Sequence, residues 1–128
     1  MVSYTKEKQL GKKKPSLEKE KKKAWDAISL YVRTRDNFIC FTCGKYGNQA
    51  GHMFPKALGL NAYFDIRNIH CQCYHCNINL GGNGAIYSKK FIDKYGQKEH
   101  DDLYKCVHSK KKYKVEDYIE MQKRYALD

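Results

Sequence analysis

Residues 40–77 read CFTCGKYGNQAGHMFPKALGLNAYFDIRNIHCQCYHCN, and most of the architecture follows from this stretch. It opens on one Cys-x-x-Cys pair, Cys40–Cys43, and closes on another, Cys73–Cys76. One turn of backbone can present two sulfurs to an ion, and two such turns supply the four ligands of a closed tetrahedral zinc site. Zinc held this way is structural, because four cysteines leave no position for water. Disulfides or unrelated thiols are the competing reading. The doubled spacing favours zinc, as does an N-terminus whose basic residues lead into no apolar core and so do not read as a secretory signal. Twenty-nine residues separate Cys43 from Cys73, more than a simple ribbon needs, so something is built between the knuckles. Cys71 and Cys106 are left over as structural or free thiols, with Cys71 facing away from the knuckle.

Between the knuckles, Gly44 allows a tight turn after the first. Gln49 to Phe54 reads as a short strand with His52 near its end. Residues 55–64, with Pro55 and Gly59, read as a loop, and Asp65 to His70 as a second strand. Residues 74–80 form a short helix that Gly81-Gly82 stops. Upstream, Pro15-Ser16 starts a helix over 16–35. Trp25, Ile28, Tyr31 and Val32 recur on it at helical spacing, and Trp25 is expected as a core anchor. Downstream, helices are predicted at Ala85–Tyr95, Lys98–His108 and Val115–Ala126. Val115, Tyr118, Ile119 and Met121 or Tyr125 form the inner face of the last. The eleven tyrosines fall mostly at core spacing. The class is α+β and mostly helical. A basic, flexible arm over 1–14 precedes one domain over 15–128, with a zinc-stapled centre at about 38–82 and C-terminal helices over 85–127.

The chain has 128 residues, with 25 Lys and Arg against 14 Asp and Glu, a net charge of +11. That balance suits a polyanion, nucleic acid before membrane, and no apolar run reaches membrane-spanning length. Residues 1–23 carry +6, residues 24–80 carry +2 and residues 81–128 carry +3. The excess therefore sits mainly on the N-terminal arm, where Lys12, Lys13 and Lys14 are candidates to grip phosphates without reading sequence.

Hydrolysis of a phosphodiester needs a base for water and positive charge at the phosphate. Histidine serves as a base near neutral pH with little tuning, and a divalent ion supplies the charge. His52 is the candidate base, with Asn68 on the second strand and Asn77 directly after the second knuckle. The order histidine, asparagine, post-knuckle ligand resembles the HNH branch of the His-Me finger, or ββα-metal, nucleases. A closer similarity is to the phage NinG/Rap recombination endonucleases. It is carried by AGHMFPKA (50–57), YFDIRNIHCQCYHCNINLGGN (63–83), DKYG (93–96) and WDAISLYVRTRD (25–36), and covers roughly residues 24–125.

The resemblance implies a ββα-metal finger with a four-cysteine zinc site, flanked by an N-terminal helix and C-terminal helices. His52 would be the general base, and Asn68 would hold the loop and orient it. Asn77 would be a ligand to a catalytic Mg2+ or Mn2+, and the substrate would be DNA, double-stranded or branched like a Holliday junction. Many relatives place Asp before the histidine as a second metal ligand, and here Gly51 stands there. His70 is the candidate replacement, with a phosphate contact or a structural histidine as the alternatives. Lys56 and Arg67 are candidate phosphate contacts, although an Arg67–Asp65 salt bridge is equally available. His75 reads as exposed, and His100 and His108 receive no role. A symmetric junction would suit a homodimer, and a phage protein acting in its host would work in the cytoplasm. The competing readings are a non-catalytic, zinc-stabilised nucleic-acid-binding module and a protein-interaction adaptor.

Overall fold

A computed structural model describes residues 15–127. Its first helix, α1, spans Leu17–Arg35. Ser16 caps it, its hydroxyl accepting the Lys19 N–H at 3.1 Å, which satisfies one of the free donors of the first turn. Glu18 and Glu20 in the first turn and Arg33 and Arg35 in the last complement the helix dipole. Ala24, Ile28 and Val32 form its buried face.

Asn37 and Phe38 both adopt left-handed backbone, at φ 56°, and swing the chain from α1 into the first knuckle. There the Cys40 N–H donates to Lys45 O at 2.7 Å and the Gly44 N–H to Cys40 O at 2.8 Å. Gly44 closes this turn at φ +81°, a conformation that side chains resist.

Two antiparallel strands follow, β1 at Gln49–His52 and β2 at Ile69–Gln72. His52 pairs with Ile69 and Gly51 with His70, so side chains alternate between two faces. Ile69 packs with Ala24, Ile28, Val32, Phe64 and Tyr118. Gly51, His70 and Gln72 look the other way. The first strand stops at His52 rather than Phe54 because the Phe54 N–H is taken by the Asn68 side chain at 2.8 Å.

The connection differs from the expected loop and strand. A short turn at Lys56–Leu58, helix α2 at Leu60–Phe64 and a further turn at Ile66–Asn68 fill it. Asp65 accepts the Arg67 N–H at 3.0 Å and closes that last turn, so the ladder begins at Ile69 instead of Asp65. The helix expected over 74–80 is one wide turn, His75–Asn79, in which the Leu80 N–H reaches His75 O at 2.9 Å.

Helices α3 (Gly84–Tyr95), α4 (Gln97–His108) and α5 (Val115–Arg124) complete the described chain. Helix α5 lies along α1, and α3 and α2 both pack on α4. A second apolar cluster joins Met53, Ala62, Tyr87, Phe91, Leu103 and Val107. The described part is thus mostly helical around one two-stranded sheet. No described helix is long and apolar enough to cross a membrane.

Candidate functional site

The sulfurs of Cys40, Cys43, Cys73 and Cys76 all lie within 4.8 Å of one another. Cys43 Sγ and Cys73 Sγ are 3.7 Å apart. A tetrahedron built on Zn–S bonds of ~2.3 Å has edges of ~3.8 Å, so the spacing fits zinc. Donors surround the sulfurs: the Thr42 hydroxyl is 3.2 Å from Cys40 Sγ, and the Cys76 N–H is 3.4 Å from Cys73 Sγ. Burial works to raise the Cys40 thiol, but hydrogen bonds from Thr42 and from the N–H groups of Cys73 and Cys43 outweigh it and bring it down to about 6. The four cysteines can hold a structural metal such as zinc. Cys71 points elsewhere, with its sulfur 3.4 Å from Gly47 O, and Cys106 lies beside Asp65.

His52 ends β1, and its Nε2 lies 2.9 Å from Tyr63 O. A carbonyl only accepts, so Nε2 carries the proton and the neutral ring keeps its lone pair on Nδ1. The ring stacks on Trp25, with centroids 5.2 Å apart and planes 18° from parallel. Tyr63 closes in edge-on at 5.6 Å. Burial lowers the His52 pKa below its ordinary value; the Tyr63 carbonyl opposes this and the Lys56 charge adds to it. The imidazole is therefore neutral near pH 7. Trp25 is only partly buried, and it serves His52 as well as the core. Lys21 and Lys56 place their ammonium groups 5.2 and 5.3 Å from the Tyr63 ring centre, so positive charge collects beside the histidine.

Asn68 is fully buried. Its Oδ1 accepts the Phe54 N–H at 2.8 Å, and its Nδ2 donates to Phe54 O at 2.9 Å and Ala62 O at 2.8 Å. One side chain thereby ties the chain after His52 to α2, whose Tyr63 holds the imidazole.

Asn77 donates through Nδ2 to Gln49 Oε1 at 2.8 Å. Its Oδ1 then points to Gly51, 2.8 Å from where a Cβ on residue 51 would stand. The same Cβ would collide with Gln72 Oε1. Gln72 donates through Nε2 to Gly82 O at 3.0 Å and Thr42 Oγ1 at 3.1 Å, while its buried Oε1 has no partner among the described residues. An unsatisfied buried acceptor costs roughly 1–3 kcal/mol. Two amide oxygens therefore converge on the bare backbone of Gly51, a hard-oxygen donor set of the kind magnesium and manganese accept. The family resemblance pointed to Asn77; nothing in the sequence singled out Gln72 or Trp25 for the site.

His70 does not join this point. It is 2% exposed, its Nδ1 lies 3.0 Å from Tyr87 Oη and its Nε2 3.5 Å from Tyr95 Oη. The Tyr87 hydroxyl donates to Gly51 O at 2.8 Å, so His70 Nδ1–H donates to Tyr87. Burial and the nearby Arg35 bring the His70 pKa down to about 3, and its ring stacks on Phe41. Both nitrogens face tyrosine hydroxyls, surroundings that match the structural-histidine alternative. Arg67 is likewise occupied: it grips Asp65 with Nε and Nη2 at 3.0 and 2.7 Å and reaches Glu99 at 3.5 Å, in place of a free phosphate contact. Lys56 is exposed and stands beside the His52 pocket. His75 is exposed, 3.3 Å from the Asn79 amide. Lys12, Lys13 and Lys14 lie outside the described residues.

Comparison with known proteins gives the lineage. A family model described as Bacteriophage Lambda NinG protein matches residues 2–128. Protein ninG of Escherichia phage 933W is 32% identical over 108 residues, covering 81% of this chain and 53% of the relative. Protein ninG of Escherichia phage lambda is 30% identical over 108 residues, with 81% and 52% covered. Protein ninG of Salmonella phage P22 is 34% identical over 86 residues, with 64% and 42% covered. The chain thus spans about half the length of the curated relatives it matches. No solved structure matches it. Since the family match runs through both knuckles and through His52, Asn68 and Asn77, the chain belongs to the NinG family.

Proposed function

We propose that this chain is a metal-dependent DNA endonuclease of the HNH, His-Me finger kind, built on a ββα-metal core. The observation that carries the reading is the anchoring of His52. Its Nε2 is committed to the Tyr63 carbonyl, so Nδ1 is the atom left to accept a proton. Burial keeps the ring neutral, and Asn68 fixes the loop that holds it. A general base needs this combination of free lone pair, fixed direction and suitable pKa.

In the proposed reaction, Nδ1 takes one proton from water as its oxygen bonds to phosphorus. The bond from phosphorus to the 3′ oxygen breaks, and that oxygen gains a proton from solvent, leaving a 5′-phosphate and a 3′-hydroxyl. A divalent ion, Mg2+ or Mn2+, supplies charge stabilisation at the phosphate when bound. Asn77 is the residue from the predicted set that is positioned to hold it. Lys21 and Lys56 stand where they can attract the DNA backbone.

The preference for branched DNA rests on the family resemblance, and two copies of the chain would suit a symmetric junction. The action belongs in the cytoplasm of an infected cell. A second reading is favoured by Gly51, which offers no carboxylate to an ion, as expected of a non-catalytic, zinc-stabilised nucleic-acid-binding module. The test is cleavage of matched linear, forked and four-way-junction DNA by the zinc-loaded chain, with Mg2+, Mn2+ or neither. Ion-dependent cutting of the junction above the linear duplex is expected. Equal cutting of all three removes the branched preference, and binding without cutting in every ion favours the non-catalytic module.

A further inference from the structure

We infer that Gln72, through Oε1, supplies the oxygen ligand that Gly51 lacks, so that Gln72 and Asn77 together form the divalent-cation site. This inference rests on the nuclease reading and specifies its metal centre.

Three observations meet at one place. Gln72 Oε1 is buried and has no hydrogen-bond partner among the described residues. It occupies the space a side chain on residue 51 would fill, and Asn77 Oδ1 borders that same space at 2.8 Å. Both oxygens are aimed by their own amide nitrogens. Gln72 Nε2 faces Gly82 O, which only accepts, so the amide cannot turn over without setting two oxygens together. Asn77 Nδ2 is held by Gln49 Oε1. The absence of a Cβ at Gly51 is what admits the glutamine from the neighbouring strand.

A purely structural role for Gln72 accounts for its nitrogen and leaves its oxygen unexplained. Gln72 also reaches the zinc site, because the Thr42 hydroxyl that accepts from its Nε2 at 3.1 Å is 3.2 Å from Cys40 Sγ. The knuckle thus braces the second donor set, as partners behind a ligand generally do. Gln72 and Asn77 would hold the ion with two neutral oxygens, leaving its other positions to water and substrate phosphate. That suits an ion recruited together with DNA.

The test uses the full zinc-loaded chain and the metal alone. In the wild type, Mg2+ is titrated while the side-chain amide signals of Gln72 and Asn77 are followed by NMR. Both are expected to shift saturably with one shared affinity. In parallel, Mn2+ binding is measured by electron paramagnetic resonance for the wild type, for Gln72→Ala and for the double variant Gly51→Asp with Gln72→Ala. Loss of the glutamine is expected to weaken Mn2+ binding about tenfold or more. The double variant returns an oxygen from β1 into the vacated space and is expected to regain that affinity. Should Gln72→Ala fail to fold, the wild-type titration decides. A shift at Asn77 without one at Gln72, or unchanged Mn2+ affinity in folded Gln72→Ala, overturns the assignment while leaving His52-dependent cleavage intact. No saturable binding at either residue also overturns it, and cleavage that depends on His52 then separates this failure from failure of the nuclease reading.

Discussion

His52 is held from two sides, by the Tyr63 carbonyl at its Nε2 and by the Trp25 face across its ring. The carbonyl chooses the tautomer, and the indole limits rotation and excludes water. Trp25→Ala is therefore expected to slow cleavage about tenfold with DNA affinity retained, and Trp25→Phe to recover most of the loss, since a modest misplacement of a catalytic group is costly. In the proposed reaction the neutral ring is the active form, so the rate is expected to be full above the His52 pKa and to fall as pH drops through it. That pKa lies below 6.5, which puts the acid limb of single-turnover cleavage below pH 6.5. Removing a cation raises a histidine pKa, so Lys56→Gln is expected to move the limb upward. Asn68→Ala strips partners from three backbone groups, one buried and two partly buried, and is expected to destabilise the fold by roughly 2–4 kcal/mol in urea unfolding. His52, Asn68 and Asn77 were singled out in the sequence by their order around the Cys-x-x-Cys pairs and by the family resemblance, and their roles belong to the proposed reaction. Trp25 was not, since helical spacing looks the same whether an indole faces core or imidazole. The alternatives for His70 stayed open in the sequence because its surroundings come from Tyr87 and Tyr95, on a helix that the spacing around Asn68 does not include.

Among the elements, the knuckles and α1 were readable and the connection between the strands was not. Helix α1 carries its own signals in the Ser16 cap and the Ala24, Ile28, Val32 stripe. Residues 60–64 look like loop sequence, and they are helical because of what they meet. Asn61 Nδ2 reaches Cys106 O and Ser109 O at the end of α4, while its Oδ1 accepts from the Tyr113 hydroxyl at 2.8 Å. Such long-range bonds override weak local preference. Asp65 was expected to open the second strand, but its carboxylate caps a turn. Ile28→Ala, in a fully buried position shared by α1, β2 and α5, is expected to cost about 2–5 kcal/mol in urea unfolding. Cys73→Ser, or chelation of zinc, is expected to melt the region around β2, because metal binding and folding are coupled at such sites. An unchanged melting temperature would count against a structural metal.

Across the molecule, the sheet divides the described chain into two chemical faces. On one, His52 packs with Trp25 against the α1–α5 core. On the other, Gln72 and Asn77 gather oxygens beneath Gly51. A phosphate at the end of β1 can address both. The net charge of +11 suits a polyanion such as the proposed DNA substrate, and residues 1–14 hold five of the lysines. Deleting those residues is expected to weaken DNA binding and to flatten its salt dependence by about 0.9 in slope for each phosphate no longer neutralised; an unchanged slope would assign DNA binding to the rest of the chain. The charge was legible in composition, whereas the two faces emerged only with the strand register. The decisive measurement is single-turnover cleavage of four-way-junction DNA by the zinc-loaded wild type and His52→Ala, with junction affinity measured for both. Mg2+-dependent cutting is expected, falling by about 10²–10⁴-fold in His52→Ala at unchanged affinity. Equal cutting by the two proteins would contradict a histidine-based nuclease.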